Sequence, residues 1–543
     1  MNAIFESISQ QSAKEQYDDI TFAELPFFPL TSDPILDITI DDLLANGHTN
    51  ATYPSDGFLS FHSLKICSSN AKQMSKNLQL TMGFEEIAYR GLETDSRFIA
   101  SHVLKNGDII LELVNTLETV EEDNALKVPY YQKDISNFKH FGKQDLSTKI
   151  ANKIANEFVT DRVSVLSTSN ESQNLGRKIY NKILNSKTYK SSLRDYEKVI
   201  KKSMTNSENI YEDMVECALI QKFLKSHAEG VMDIAFQVTD VDASFAKAIN
   251  AGAGIIKVPR VLSDEYGSVK LATIAIPDTD LQHTLVQIID YCGPYLPNYF
   301  LPLQAKSNNL PKLSLSSVNF QSIDHCVENY SWNQMMTQAK FYANIFGFHK
   351  FWSIDEQDVS TGETALRSIV MASGNGKIKM PINEPAKARK RGQIEEFNDY
   401  NGGPGVQHIA FRTNDIIFTV ESLVSRGVEF NTVSEHYYSC LERRLRKDDV
   451  ILRESFEKLK QLNILVDYDA TTRNKSSKRC NYILQIFTKP FHDRPTLFFE
   501  IIQRYHHNGF GKGTFKGLFE TIEHQQRLRG TLVINEEYAD EGF

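Results

Sequence analysis

The second half of this chain repeats the first, and that repeat constrains the fold more than any single motif. Asp233-Ile-Ala-Phe-Gln-Val-Thr-Asp240 returns as His408-Ile-Ala-Phe-Arg-Thr-Asn-Asp415, and a glycine follows nineteen positions after the first residue of each copy, at Gly252 and Gly427. His283-Thr-Leu-Val-Gln-Ile-Ile289 answers Pro495-Thr-Leu-Phe-Phe-Glu-Ile-Ile502, which sets Gln287 opposite Glu500, and Phe61-His-Ser63 answers Ile323-Asp-His325. Copies that share an apolar pattern must bury it the same way, so two versions of one architecture are expected. The copies differ in chemistry. The later one gathers His325, His408 and Glu500, whereas the earlier one has Asp233 and Gln287 in two of those places and keeps at most His62. Two imidazoles and one carboxylate can hold a redox-active iron and leave three positions open for an organic chelate and dioxygen.

Bulk properties agree with a two-domain globular protein. At 543 residues the chain exceeds one ordinary core, and 41% hydrophobic residues supply two. A net charge of −9 without a dominant basic segment gives no reason to expect nucleic acid or an anionic membrane as partner. The six cysteines lie far apart with no C-x-x-C pair, which suits reduced thiols in a cytoplasmic protein. No apolar run approaches the roughly 20 residues of a membrane span, and the polar start is not expected to be a secretion signal.

Along the chain, residues 1–57 read as an extension, 58–300 as the first domain and 301–543 as the second. Short apolar runs such as Ile109–Leu113 and Leu285–Ile289 alternate with helical stretches such as Val241–Asn250. In the second half, Gly405–Phe411 reads as a strand and Asp415–Ser425 as a helix stopped at Arg426-Gly427. His62 and Asp233 stand 171 positions apart but His325 and His408 only 83, so the first domain carries an insertion at about 118–222, helically patterned in part. A second insertion, at about Tyr437–Arg479, has Leu, Ile and Phe at helical spacing over Leu441–Leu462 and reads as a covering helix.

Alternate strand residues project to one face, so His408 is expected inward with Val406 and Ala410. Glu500 sits among apolar neighbours, where a carboxylate needs a metal or an arginine, Arg504 and Arg494 being the nearby choices. Near the C-terminus, Phe515, Leu518, Phe519 and Ile522 share one face of an amphipathic helix over about 514–529. Gly509-Phe-Gly-Lys-Gly513 precedes it and lacks the order of a phosphate loop, so its glycines read as a hinge that lets the helix gate a site.

Several longer motifs resemble one family. They are Ile323-Asp-His-Cys-Val327, Leu366-Arg-Ser-Ile-Val370, Lys379-Met-Pro-Ile-Asn-Glu-Pro385, Tyr400-Asn-Gly-Gly403, Val406-Gln-His-Ile-Ala410, Leu484-Gln-Ile-Phe-Thr-Lys-Pro490, Asp493-Arg-Pro-Thr-Leu497 and, in the first half, Ala88-Tyr-Arg-Gly-Leu-Glu-Thr94. The chain from about Phe58 to Leu532 thereby resembles the 4-hydroxyphenylpyruvate dioxygenases of the vicinal oxygen chelate superfamily.

That resemblance implies an α+β fold of two tandem domains, each built from repeated βαβββ modules forming open β-barrels. It implies one Fe(II) per chain on His325, His408 and Glu500, with 4-hydroxyphenylpyruvate and O2 as substrates and homogentisate and CO2 as products. It places Gln407 and Gln485 beside the chelate and makes Ser368, Pro381, Asn383 and Gln393 substrate contacts. Phe487, Phe498 and Phe510 become apolar walls, ordinary core packing being the alternative for each, and Phe515 becomes the gate phenylalanine. Gln526 and Arg529 would tie the helix down, and the family forms dimers or tetramers, a homodimer being expected here. Thr514 departs from the family, which has Asn before the gate phenylalanine. Three rival readings stay open: 4-hydroxymandelate synthase, an extradiol-type ring-opening dioxygenase, and a binding module of the same fold without metal.

Overall fold

The computed structural model describes residues 55–118, 213–302, 317–354, 360–511, 513 and 515–535; for 515–518 it describes the backbone alone. Most of the 1–57 extension and of the 118–222 insertion lie outside the described residues, as does Thr514.

The repeat is realised as two eight-stranded sheets of identical topology. The first contains β1 (Phe58–Cys67), β2 (Glu85–Arg90), β3 (Ile99–Asn106), β4 (Ile109–Thr116), β5 (Gly230–Val238), β6 (Gly254–Asp264), β7 (Gly267–Ala275) and β8 (Gln282–Ile288), in the order β2-β3-β4-β1-β5-β8-β7-β6. The second contains β9 (Ile323–Asn329), β10 (His349–Ile354), β11 (Leu366–Ala372), β12 (Lys379–Pro385), β13 (Gly405–Arg412), β14 (Leu465–Asp469), β15 (Asn481–Phe487) and β16 (Phe498–Tyr505), in the matching order β10-β11-β12-β9-β13-β16-β15-β14. Each sheet is two βαβββ modules. Within a module the first and last strands pair in parallel, and the two first strands pair antiparallel across the middle, as β1 with β5 and β9 with β13.

Each module's first strand is followed by a helix. These are α1 (Ala71–Thr81), α2 (Val241–Asn250), α3 (Met335–Phe341) and, after α4 (Gln393–Asn401) and β13, α5 (Ile416–Ser425). Asp240 and Asp415 cap α2 and α5 by accepting from Ala243 N and Phe418 N. Gly427 then adopts φ of +88°, the left-handed region that ends α5 as its sequence suggests.

One apolar core runs through both halves on the helix side of the sheets. At its centre Phe58 and Phe236 of the first half meet Phe346 and Phe348 of the second, with ring centroids 5.0–6.1 Å apart. The described residues of 55–94, 100–115 and 222–535 accordingly form a single compact unit.

The structure corrects three expectations. The covering helix of the second insertion is two helices, α6 (Glu435–Lys447) and α7 (Phe456–Gln461), each started by its own serine cap, Ser434 and Ser455. Val406 packs with Ile409 and Phe411 in the core, not inward with His408, because a β-bulge between Val406 and His408 interrupts the alternation. Glu500 is matched by Thr284, not Gln287. His408 pairs with Phe498 as Asp233 pairs with Gln282, so counting two residues on sets Thr284 in the place of Glu500. Gln287 corresponds instead to Gln503, and both side chains accept from the first backbone N–H of the helix in their own module, at Val241 and Ile416.

Candidate metal centre

Three strands of the second sheet carry one inward side chain each to a common point. His325 comes from β9, His408 from β13 and Glu500 from β16, and all their ligating atoms lie within 4.8 Å of one another. Register explains the convergence: Ala410 is the partner of both His325 and Glu500, so the two flank one residue of the middle strand. Glu500 Oε2 stands 3.0 Å from His325 Nε2 and 3.4 Å from His408 Nε2. Donors about 2.1 Å from an octahedral ion and at right angles are about 3.0 Å apart, so this spacing fits a metal held on one face.

The remaining hydrogen bonds fix which atoms face that point. His325 Nδ1 donates to Asp324 Oδ1 at 2.8 Å, and His408 Nδ1 donates to Gln407 Oε1 at 3.0 Å, which leaves both Nε2 lone pairs directed at the centre. Gln407 in turn donates to Gln393 Oε1 at 3.3 Å, which settles the orientation of its amide. Gln485 Nε2 donates to Glu500 Oε1 at 2.8 Å and so reserves Oε2 for the imidazoles.

Electrostatics point the same way. Burial opposes ionisation of Glu500, but the charge and N–H bonds that protonated His325 and His408 offer it outweigh that and hold the carboxyl at about 2. A fully buried carboxylate between two imidazoles requires positive charge beside it, and a divalent metal in place of the imidazole protons satisfies all three groups. Neither arginine near Glu500 in sequence serves it: Arg504 grips Asp324, and Arg494 donates to His227 O.

The other residues singled out in the sequence distribute around this point. Phe498 stacks on His408 at 4.8 Å and 18°, Phe487 meets the same imidazole edge-on at 5.9 Å, and Phe510 stands edge-on to His325 at 5.0 Å. Ser368 and Asn383 are cross-strand partners on β11 and β12, and Pro381 precedes Asn383 by two on the same face. Asn383 donates to Asn329 Oδ1 at 3.1 Å, and Gln393 opens α4.

Helix α8 (Phe515–Arg529) begins at Phe515, whose side chain lies outside the described residues. Its later half is anchored as the sequence suggests: Arg529 grips Glu396 with two bonds of 2.9 and 2.8 Å, and Gln526 reaches Arg391 O. Glu523, not singled out in the sequence, accepts from Thr361 and Thr364. Ahead of the helix Gly511 takes φ of +89°, so a glycine is needed there.

The corresponding place in the first sheet has been filled. Ser63, Asp233 and Thr284 replace the triad, and Asp233 accepts from both the N–H and the hydroxyl of Thr284. Ser63 meets Tyr295, which together with Tyr299 donates to the buried Glu112. His62 bonds Ser63 and is the counterpart of Asp324, not of a ligand.

Residues missed in the sequence are Asp324 and Trp352, the latter packed against Phe510, while Arg504, a candidate partner of Glu500 in the sequence, serves Asp324 instead. Asp324 carried one signal, its place directly before His325.

Comparisons with known proteins give the family of the chain. Residues 322–443, which include two of the three triad members, match the Glyoxalase/Bleomycin resistance protein/Dioxygenase superfamily. A 4-hydroxyphenylpyruvate dioxygenase of Coccidioides posadasii is 38% identical over 466 residues, covering 86% of this chain and 92% of its own. One from Yarrowia lipolytica is 34% identical over 490 residues, covering 89% and 98%. Among solved structures, a triple mutant of 4-hydroxymandelate synthase from Streptomyces coelicolor superposes with a TM-score of 0.58 at 22% identity, over 87% of this chain and 99% of its own, and shares the fold. The chain therefore belongs to the 4-hydroxyphenylpyruvate dioxygenase family, with tandem vicinal oxygen chelate domains.

Proposed function

We propose that this protein is an Fe(II)-dependent dioxygenase that converts 4-hydroxyphenylpyruvate and O2 to homogentisate and CO2 in tyrosine and phenylalanine catabolism. The observation that carries the reading is the convergence of His325 Nε2, His408 Nε2 and a Glu500 oxygen within 4.8 Å of one another, in a chain whose relatives bear that name over most of its length. One Fe(II) per chain, held by these three residues, would supply the open positions at which a 2-oxo acid chelates and dioxygen is reduced. CO2 would leave with the two oxygens of the original carboxylate, one atom of O2 would stay in the new carboxylate and the other would enter the ring, so the substrate itself is the reductant.

This chain's residues do the positioning. Gln485 keeps Glu500 from rotating, and Gln407 keeps His408 in the tautomer that presents Nε2. Ser368, Asn383 and Gln393 offer neutral donors and acceptors that orient the phenol and carboxylate without adding charge. Pro381 shapes the β12 wall beneath the ring. Phe487, Phe498 and Phe510 exclude water from the reacting centre, and the role of gate phenylalanine falls to Phe515 at the start of α8. In this reading residues 58–300 are the non-catalytic domain and 301–543 the catalytic one, and the enzyme works as a cytoplasmic homodimer. Among the described residues no helix is long and apolar enough to cross a membrane.

Anaerobic titration with Fe(II), followed by O2 uptake on adding 4-hydroxyphenylpyruvate, tests the proposal. It predicts one iron per chain and one CO2 released per O2 consumed. Iron binding without substrate-dependent uptake would refute it.

A further inference from the structure

We infer that Arg504 is a positioning residue that couples the orientation of His325 to the chain segment leading into the C-terminal helix. A single guanidinium reaches both. Its Nε and Nη2 donate to Asp324 Oδ2 and Oδ1 at 2.8 and 2.7 Å, a two-pronged grip on a buried carboxylate. Its Nη1 donates to the backbone oxygens of His507 and Gly509 at 3.1 and 2.6 Å. The face of the same group lies over the Phe510 ring at 5.2 Å.

At the metal end, Asp324 Oδ1 accepts from His325 Nδ1, so the carboxylate that fixes this imidazole is itself fixed by Arg504. His408 is supported by the neutral Gln407, so charge supports only one of the two imidazoles directly. On the segment's side, Phe510 meets the His325 ring and shares an apolar cluster with Trp352 and with Phe519 of α8. If the 507–511 segment shifts, Arg504 loses two acceptors and a ring contact; if His325 turns to take a metal, the pull passes through Asp324 to the same guanidinium. Linkage then requires the effect to be mutual.

The inference rests on His325 being a metal ligand, and its test keeps the two apart by using Co(II) as probe in the full chain. Wild type must first bind Co(II), since failure there overturns the ligand reading itself. Hydrogen exchange of residues 505–511 is then measured with and without Co(II), and metal is expected to slow it; equal rates would overturn the coupling. D324N, isosteric and distant from the segment's backbone, is expected to weaken Co(II) binding about ten- to a hundredfold, the usual cost of an outer-shell partner. It is also expected to speed exchange at Gly509–Gly511, which Asp324 does not touch. R504K, which keeps the charge and loses the fork, should show both effects. Either variant binding Co(II) as tightly as wild type, or D324N weakening metal while leaving segment exchange unchanged, would overturn the inference.

Discussion

Behind the metal centre, on the core side of β9, a line of buried protons joins the two halves, and Glu328→Gln reads it directly. His283 of β8 directs Nδ1 to Ile234 O at 2.9 Å, and a carbonyl oxygen only accepts, so the proton of this imidazole sits on Nδ1. Burial pushes His283 down to about 4, so near neutral pH it carries one proton and its Nε2 must accept from the Tyr342 hydroxyl 2.8 Å away. Tyr342 has then spent its proton, and the Glu328 oxygen 2.9 Å from it must donate. Tyr330 donates to the other Glu328 oxygen, also at 2.9 Å. Below about pH 7 Glu328 is therefore a carboxylic acid in the folded protein, burial raising it to about 7 from an ordinary 4.5. The sign follows from the proton count. The folded state holds a proton that the unfolded chain releases above about 4.5, so this stabilisation is complete below that pH and is lost as pH rises through about 7. The full span is about 3 kcal/mol, of which about 2 kcal/mol falls between pH 5.5 and 8. Glutamine donates and accepts in the same two places without titrating. Urea unfolding of wild type and E328Q at several pH values should show wild type losing about 2 kcal/mol more than the variant across that interval. Parallel pH profiles would refute the assignment of the proton.

Three further outcomes follow from the site and its anchors. Glu500→Gln keeps the shape and the Gln485 contact but removes the charge between the imidazoles; it should abolish O2 uptake and weaken metal binding by more than about a hundredfold, beyond the loss of an outer-shell partner, as read by metal titration. Loading the metal to a hundred times its dissociation constant should stabilise the fold by about 2.7 kcal/mol over chelator-treated protein, seen as a rise in Tm that E500Q lacks. Arg529→Ala strips two charge-assisted bonds from the buried Glu396 and should cost about 1.5–3 kcal/mol, with faster proteolysis within α8 than in wild type.

Much of the fold was legible because the repeat supplies its own alignment. Where a strand and its helix follow with no gap, as from Asp233 to Gly252 and from His408 to Gly427, the sequence match and the observed elements agree to the residue or nearly so. The alignment slipped by register at the last strand of each half. Side chains there alternate with period two, yet the apolar runs around Leu285 and Phe499 are nearly continuous because both faces are buried, and a continuous run gives no marker for register. Only the pairings of Asp233 with Gln282 and His408 with Phe498 reveal Thr284 as the partner position of Glu500. Val406 misled for a related reason, since a bulge breaks alternation without a composition signal. The triad itself could be found from the contrast between the halves, whereas the grip of Arg504 on Asp324 spans 180 positions and nothing local announces it. The break between α6 and α7 was present in the text, as Ser434 and Ser455 followed by acidic first turns, but the apolar spacing on either side concealed it.

The central claim is that His325, His408 and Glu500 serve ring hydroxylation with migration of the side chain, and product identity tests it most directly. The protein reconstituted with Fe(II) is given 4-hydroxyphenylpyruvate under 18O2, and the products are separated and weighed by mass spectrometry. The account predicts homogentisate with one labelled atom on the ring and one in the carboxylate. Hydroxymandelate in its place, or ring cleavage without loss of CO2, would contradict it.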